Sequence, residues 1–161
     1  MVDLTPELRI AINVALENAQ HRRHEFAGTE HLFLGLLHDK VTAKAVKACG
    51  GNVNKLLALT EAFLDEYVPA VPEGRRVSTA PSLGFQEAIQ YAALNAESSE
   101  REVVAGPHVL IAMYNLQDCH AVYLLKQQGI EKLDLQQYVS HGGGTDDDDD
   151  EGISFSVGGD D

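Results

Sequence analysis

Between residues 5 and 22 apolar side chains recur at helical spacing, and Leu8, Ile12, Ala15, Leu16 and Ala19 would share one face. Thr5 suits an N-cap and Pro6 the first helical position. The run TEHLFLGLL predicts a second helix from about Glu30 to His38, with Thr29 as its N-cap after Gly28. A third spans about Thr42 to Ala48 and stops at Gly50-Gly51. A fourth, about Asn54 to Tyr67, carries Leu56, Leu57, Leu59, Phe63 and Leu64. Residues 68–81 hold three prolines and one glycine and read as a connecting loop. Then the order recurs. Ser82–Ala96 is helical, with Phe85, Ala88, Ile89 and Ala92 facing in. Pro107–Leu116, Cys119–Gln128 (closed by Gly129) and Leu133–His141 (closed by Gly142) complete the set.

The recurrence has a period. Gly28 and Gly106 lie 78 residues apart, as do Leu32 and Leu110, and Leu56 and Leu133 lie 77 apart. An internal duplication follows, with units at about 5–67 and 82–141. A four-helix unit of about 60 residues buries little apolar area alone, so the two should pack face to face about a pseudo-two-fold axis. The expected fold is all-α, an eight-helix bundle of two pseudosymmetric four-helix repeats. In this register Thr29-Glu30-His31 answers Pro107-His108-Val109, so the framework repeats and the polar residues do not.

Charge separates the body from its end. The net charge is −13, yet eight acids fall within 146–161, where no Lys or Arg follows Lys132. Residues 142–161, rich in Gly and Asp, should form a flexible acidic linker, with a coil dimension of roughly 25 Å. Ile153, Phe155 and Val157 alternate within it. The body is left mildly acidic, which disfavours nucleic acid and favours partners with a basic patch. No apolar run is long enough to span a membrane, and MVDLTPELRI has neither a basic n-region nor an apolar h-region. Cys49 and Cys119 sit in helical apolar stretches and read as reduced thiols, in keeping with a cytoplasmic location.

The candidate chemistry is sparse. No phosphate-binding glycine loop, zincin motif or nucleophile elbow occurs, and catalysis by this chain is not expected. Glu30 and His31 diverge by about 100° on a helix and cannot easily act on one atom. Within QHRRHEF, His21 and His24 at i, i+3 could chelate a transition metal weakly; Arg22 and Arg23 between them, and the absence of a second pair, argue against a dedicated site. A metal-binding domain through these two histidines remains an alternative reading. Glu30 in a first helical turn meets the helix dipole favourably. Glu25 has no such local role, and two acids at one exposed corner suit a basic partner.

These residues resemble the double Clp-repeat N-domain of the Clp/Hsp100 AAA+ unfoldases. The hallmark is the helix start Gly28-Thr29-Glu30-His31-Leu32-Phe33-Leu34-Gly35-Leu36-Leu37. HRRHEF at 21–26, SLGFQEAIQYA at 82–92 and YLLKQQGIEKLDLQQYVSHG at 123–142 are similar to the ClpA type. The resemblance covers about residues 4–142. It implies a mobile docking platform, not a motor. ATP and Mg would serve ATPase modules missing from this chain, in a hexamer feeding the ClpP peptidase. The isolated domain would be a monomer without a cofactor. The implied partners are substrate polypeptides and the ClpS adaptor, which delivers N-end-rule substrates. The family's adaptor contacts fall on Glu25, Glu30 and Ser82. A fourth position, basic in the family, is Glu87 here. The competing reading is a ClpC- or ClpB-type domain that binds substrate or phosphoarginine directly. The acidic ending suggests a domain excised within its linker.

Overall fold

Residues 3–4 and 103–104 lie side by side in a computed structural model that describes residues 2–143. The expected linker beyond Gly143, with Ile153, Phe155 and Val157, lies outside the described residues. In chain order the elements are β1 (Asp3–Leu4), α1 (Pro6–His21), β2 (Phe26–Ala27), α2 (Thr29–Leu37), α3 (Lys40–Ala48), α4 (Val53–Tyr67), β3 (Ala80–Pro81), α5 (Leu83–Ser98), β4 (Val103–Val104), α6 (Gly106–Met113), α7 (His120–Gln127) and α8 (Lys132–Tyr138). A π-helical turn, Val139–Gly143, extends α8 past its expected end.

Side-chain caps start most of the peripheral helices. Thr5 Oγ1 accepts from Leu8 N–H, Asn52 Oδ1 from Lys55 N–H and Ser82 Oγ from Phe85 N–H. Asp39 caps α3 by accepting from the N–H groups of Val41 and Thr42 and from Thr42 Oγ1, so this helix begins two residues before its expected start. The helix expected from Glu30 starts at Thr29, which is its first residue and not its cap. Gly50 and Gly129 close α3 and α7 at φ of 93° and 80°, where a side chain would be strained. Of the apolar residues of α4, Leu59 is 39% exposed. The buried stripe of α4 is Val53, Leu56, Thr60 and Leu64, and Thr60 can occupy it because its hydroxyl donates to the Leu56 carbonyl at 2.7 Å.

The two repeats align at 77 residues through their first half, not 78. Arg23 and Glu100 share a left-handed turn, at φ of 61° and 60°. His24 N–H donates to the Ala19 carbonyl, and Arg101 N–H to that of Ala96. Gly28 N–H donates to His31 Nδ1, and Ala105 N–H to His108 Nδ1, both at 2.9 Å. The expectation that the polar residues do not repeat is therefore corrected: His31 and His108 are counterparts with one job. After α6 the offset grows, with Asp39 answering Cys119 at 80 residues and Gly50 answering Gly129 at 79.

Nor do the units simply pack face to face; they interlock. β1 pairs in parallel with β4 and β2 with β3, so the segment ahead of each repeat's first helix joins that ahead of the other's second helix. Strands of two residues carry no readable alternation, which is why sequence periodicity missed them. α3 packs on α6 and α8, and α7 reciprocally on α2 and α4. Helices α2 and α6 are buried nearly all round and form the core, consistent with their unbroken apolar runs. Gly106 opens α6 where Asp39 and Thr42 arrive from the other repeat, and a Cβ there would collide with both. We expect Gly106→Ala to lower stability by about 1–3 kcal/mol through overpacking. An unchanged midpoint in urea unfolding would show that the repeats do not meet through this contact.

Candidate functional site

The β2–β3 pair carries the turn before α2 against the start of α5. Ser82 N–H donates to the Ala27 carbonyl at 2.9 Å. Gly84 leaves room for Thr29, whose Cγ2 would lie 3.1 Å from a Cβ at that position. A cleft of about 540 Å³ opens there. Glu30, Ser82 and Glu87 line it, with Thr29, Tyr91 and Asn115 among their neighbours. Three of the four expected site residues thus share one cleft. Glu25 is exposed just ahead of β2, outside that lining. Beside it Phe26 is 55% exposed, and Leu83, next to Ser82, is 71% exposed.

Glu30 has a second task that the sequence did not disclose. Its Oε2 accepts from His120 N–H at 3.0 Å and from Thr29 Oγ1 at 3.0 Å. Residue 120 opens α7, whose N-cap Cys119 contributes no side-chain acceptor, so Glu30 caps a helix of the other repeat. Ser82 likewise caps α5 while facing the cleft. Both side chains are held by the bonds they make, so the rim is preorganised. His120 stacks on Phe63 with ring centroids 4.2 Å apart, and Tyr67 and Tyr123 flank this pair.

HRRHEF is mostly scaffolding. The Arg22 guanidinium pairs with Asp65, and Arg23 donates to the carbonyls of Val71, Pro72 and Arg75. Thr79 Oγ1 donates to the His24 carbonyl at 2.7 Å, so the connecting loop is fastened to the first repeat. The expected i, i+3 geometry of His21 and His24 does not form. α1 ends at His21, Arg23 turns left-handed, and His24 is 3% exposed. Among the described residues no group of three metal-capable side chains occurs. His24 instead meets His31: because Gly28 N–H can only donate, His31 Nδ1 accepts, its proton sits on Nε2, and that N–H donates to His24 Nδ1 at 2.9 Å. Burial, then the neighbouring His24 and Arg22, holds the His31 pKa down to about 4. Burial and Arg101 do the same to His108, also to about 4. Cys49 and Cys119 are free thiols, and burial raises both.

The cleft offers two carboxylates, two hydroxyls, a phenol and two amides. Ser82 Oγ is spent as a cap, so the arrangement suits recognition of a cationic surface better than nucleophilic chemistry. Fold and site together define a two-repeat helical domain with a preformed polar cleft. A profile described as "Clp repeat (R) N-terminal domain" matches residues 3–128, and the chain belongs to that family. It is 35% identical over 136 residues to a ClpA homolog protein of Fuscovulum blasticum, covering 84% of this chain and 17% of that protein. The fold matches the Hsp104 N-terminal domain of Candida albicans at a TM-score of 0.71 and 18% identity, over 89% of this chain and 93% of that one. A ClpV N-domain in complex with a VipB peptide matches at 0.66 and 17%, over 86% and 85%. No helix among the described residues is long and apolar enough to cross a membrane.

The buried histidines set an acid limit. With native pKa values near 4 against 6.5 when free, the unfolded chain takes up protons first as pH falls below 6.5. Stability from this source is complete above pH 6.5 and is lost between there and about 4. By pH 5 the loss should reach roughly 1–2 kcal/mol per histidine. Urea unfolding at pH 7 and pH 5 checks this: His31→Gln should show a smaller pH dependence than the native chain, and equal dependence would refute the assignment.

Proposed function

We propose that this chain is the adaptor- and substrate-docking N-domain of a ClpA-like ATP-dependent unfoldase. The convergence of Glu30, Ser82 and Glu87 on one cleft, with Glu25, Phe26 and Leu83 exposed nearby, carries the reading. The partner in this reading is a ClpS-type adaptor that presents basic residues to the acids and apolar surface to Phe26 and Leu83. Apolar contacts at the centre supply most of the affinity, and the acids at the rim set register and association rate. Similarity to the ClpA homolog protein, of whose length this chain covers 17%, supports a ClpA-like parent. ATP, Mg, hexamer assembly and ClpP contact belong to modules outside this chain, and a cytoplasmic setting and N-end-rule cargo follow from the same reading. Glu87, acidic where the family contact is basic, calls for an adaptor with a compensating cation.

Direct recognition of substrate, including phosphoarginine, is the competing reading, and the ClpV complex with a VipB peptide shows that such a fold can hold a peptide. A two-site phosphoarginine reader would want basic or N–H-donor pockets in both halves, built on the T-E-H turn twice. At an offset of 77 residues Pro107 stands where the first repeat has Glu30, leaving one such turn.

Calorimetric titration with the cognate ClpS-type adaptor tests the proposal. The native chain should bind one to one. Glu25→Lys with Glu30→Gln should weaken binding by about tenfold or more. Glutamine retains an oxygen for His120 N–H, so the fold should survive. Absence of binding by the native chain overturns the ClpA-type reading; equal binding by both chains overturns the site.

A further inference from the structure

Four aromatic rings from the two repeats form one row at the surface. Phe63 and Tyr67 belong to α4, His120 and Tyr123 to α7. Ring centroids lie 5.2 Å apart from Tyr67 to Phe63, 4.2 Å from Phe63 to His120 and 5.5 Å from His120 to Tyr123. The last two contacts are close to parallel, at interplanar angles of 16° and 26°. Phe63 and His120 are half-buried, and their contact fastens α4 to α7. The outer rings do not share that task. Tyr67 is 66% exposed and Tyr123 54% exposed, and a ring that stays mostly in water adds little to packing. Leu59, one turn before Phe63 on the same face of α4, continues the row. Three of the nine large apolar side chains exposed among the described residues thus gather in one patch, the clustering that marks an interaction surface.

Charge says what could cover it. The exposed Glu66 flanks the row, within about 100° of helix arc with Leu59, Phe63 and Tyr67. The Glu30 carboxylate accepts from His120 N–H, and the exposed Asp118 comes just before α7. Asp65 is also on α4 but is paired with Arg22. Lys126 is the one Lys or Arg within four residues of any of these rings. The ring faces themselves carry partial negative charge. Acids and rings therefore favour the same occupant, a cation with apolar surface beside it. Nucleic acid also stacks on aromatic rows, but it would bring phosphates against these acids. End to end the row is no longer than about 15 Å, the reach of four or five extended residues.

We propose that this row is a second docking surface, and that its occupant is an extended polypeptide segment in which arginine alternates with aliphatic residues. Guanidinium groups lie on the faces of Tyr67 and Tyr123, where planar cations stack well. Aliphatic side chains of the segment cover Leu59 and Phe63. Glu66 and Asp118 supply charge at the rim and set the register. None of the four rings lines the acidic cleft, so the adaptor reading can fail without this surface, and this surface without the adaptor reading.

The test is amide 15N and aromatic 13C NMR of the full chain, titrated into the millimolar range with acetyl-Leu-Arg-Leu-Arg-Leu-amide. A second peptide carries glutamate in place of both arginines. The comparison chains are Tyr67→Ala with Tyr123→Ala, Tyr67→Phe with Tyr123→Phe, and Glu25→Lys. In the native chain the arginine peptide should move the Tyr67, His120 and Tyr123 signals saturably, and the glutamate peptide should bind at least about fivefold more weakly. The alanine pair should weaken the arginine peptide by about tenfold and still melt within a few degrees of the native chain, because both positions are exposed. The phenylalanine pair should bind within about twofold of native, since the ring faces remain. Glu25→Lys, at the separate acidic corner, should bind as the native chain does. No saturable shift at these rings, or equal binding by the native and alanine chains, overturns the surface. A collapse of the melting midpoint in the alanine pair makes the outer rings packing residues and overturns it too. Equal binding of the two peptides overturns the cationic occupant. A loss in Glu25→Lys as large as in the alanine pair overturns the location and moves the peptide to the acidic corner.

Discussion

The crossed pairing of four two-residue strands holds this domain in register. Each repeat begins its first and second helices from an extended dipeptide, and each dipeptide bonds to one from the other repeat. The backbone bonds are few, but they place the starts of α1, α2, α5 and α6 side by side and prevent either repeat from closing on its own. The exchange of α3 and α7 between halves completes the interlock. The cleft follows from the same constraint, because the β2–β3 pairing and the bond from Ser82 N–H to the Ala27 carbonyl set Ser82 and Glu30 in one lining.

Inside this frame a histidine at the third position of α2 and α6 takes over part of the work of an N-cap. Its Nδ1 satisfies the N–H of the residue ahead of the helix, in a part-buried place. This requires a neutral ring, and burial keeps it neutral. The bond also fixes which nitrogen carries the proton. From that point the repeats diverge, through one residue. His24 accepts the outward proton of His31 and closes the network, whereas Arg101 leaves the equivalent network open and cationic. One geometry thus serves an acidic cleft beside the first repeat's turn and a cavity of mixed charge beside the second's.

Glu30 shows how a family motif can serve fold and surface together. Its carboxylate is half-buried and bonded to the start of α7, so it is fixed before any partner arrives. Fixing a rim charge in this way removes ordering cost from association. Glu25, with no such anchor, contributes charge to the same face without the same geometry.

Local physics was legible in the chain itself. Helical periodicity, glycine stops and prolines marked eight helices, their order and the duplication, because each signal acts over a few residues. The turn at Gly28–His31 and the acids at 25 and 30 stood out for the same reason. Tertiary structure alone decided the rest. A register of 77 and not 78 depends on which histidine nitrogen meets which backbone N–H, a match that hydrophobic spacing does not resolve. The strand pairs are too short to leave a pattern, and the capping of α7 by Glu30 joins residues 90 apart. His24, by spacing a weak candidate ligand with His21, is a buried acceptor in fact, because the helix that would have aligned it with His21 ends one turn before it. Sequence spacing records what a residue can do within its own turn of chain; only the packing of distant segments decides which of those abilities is used.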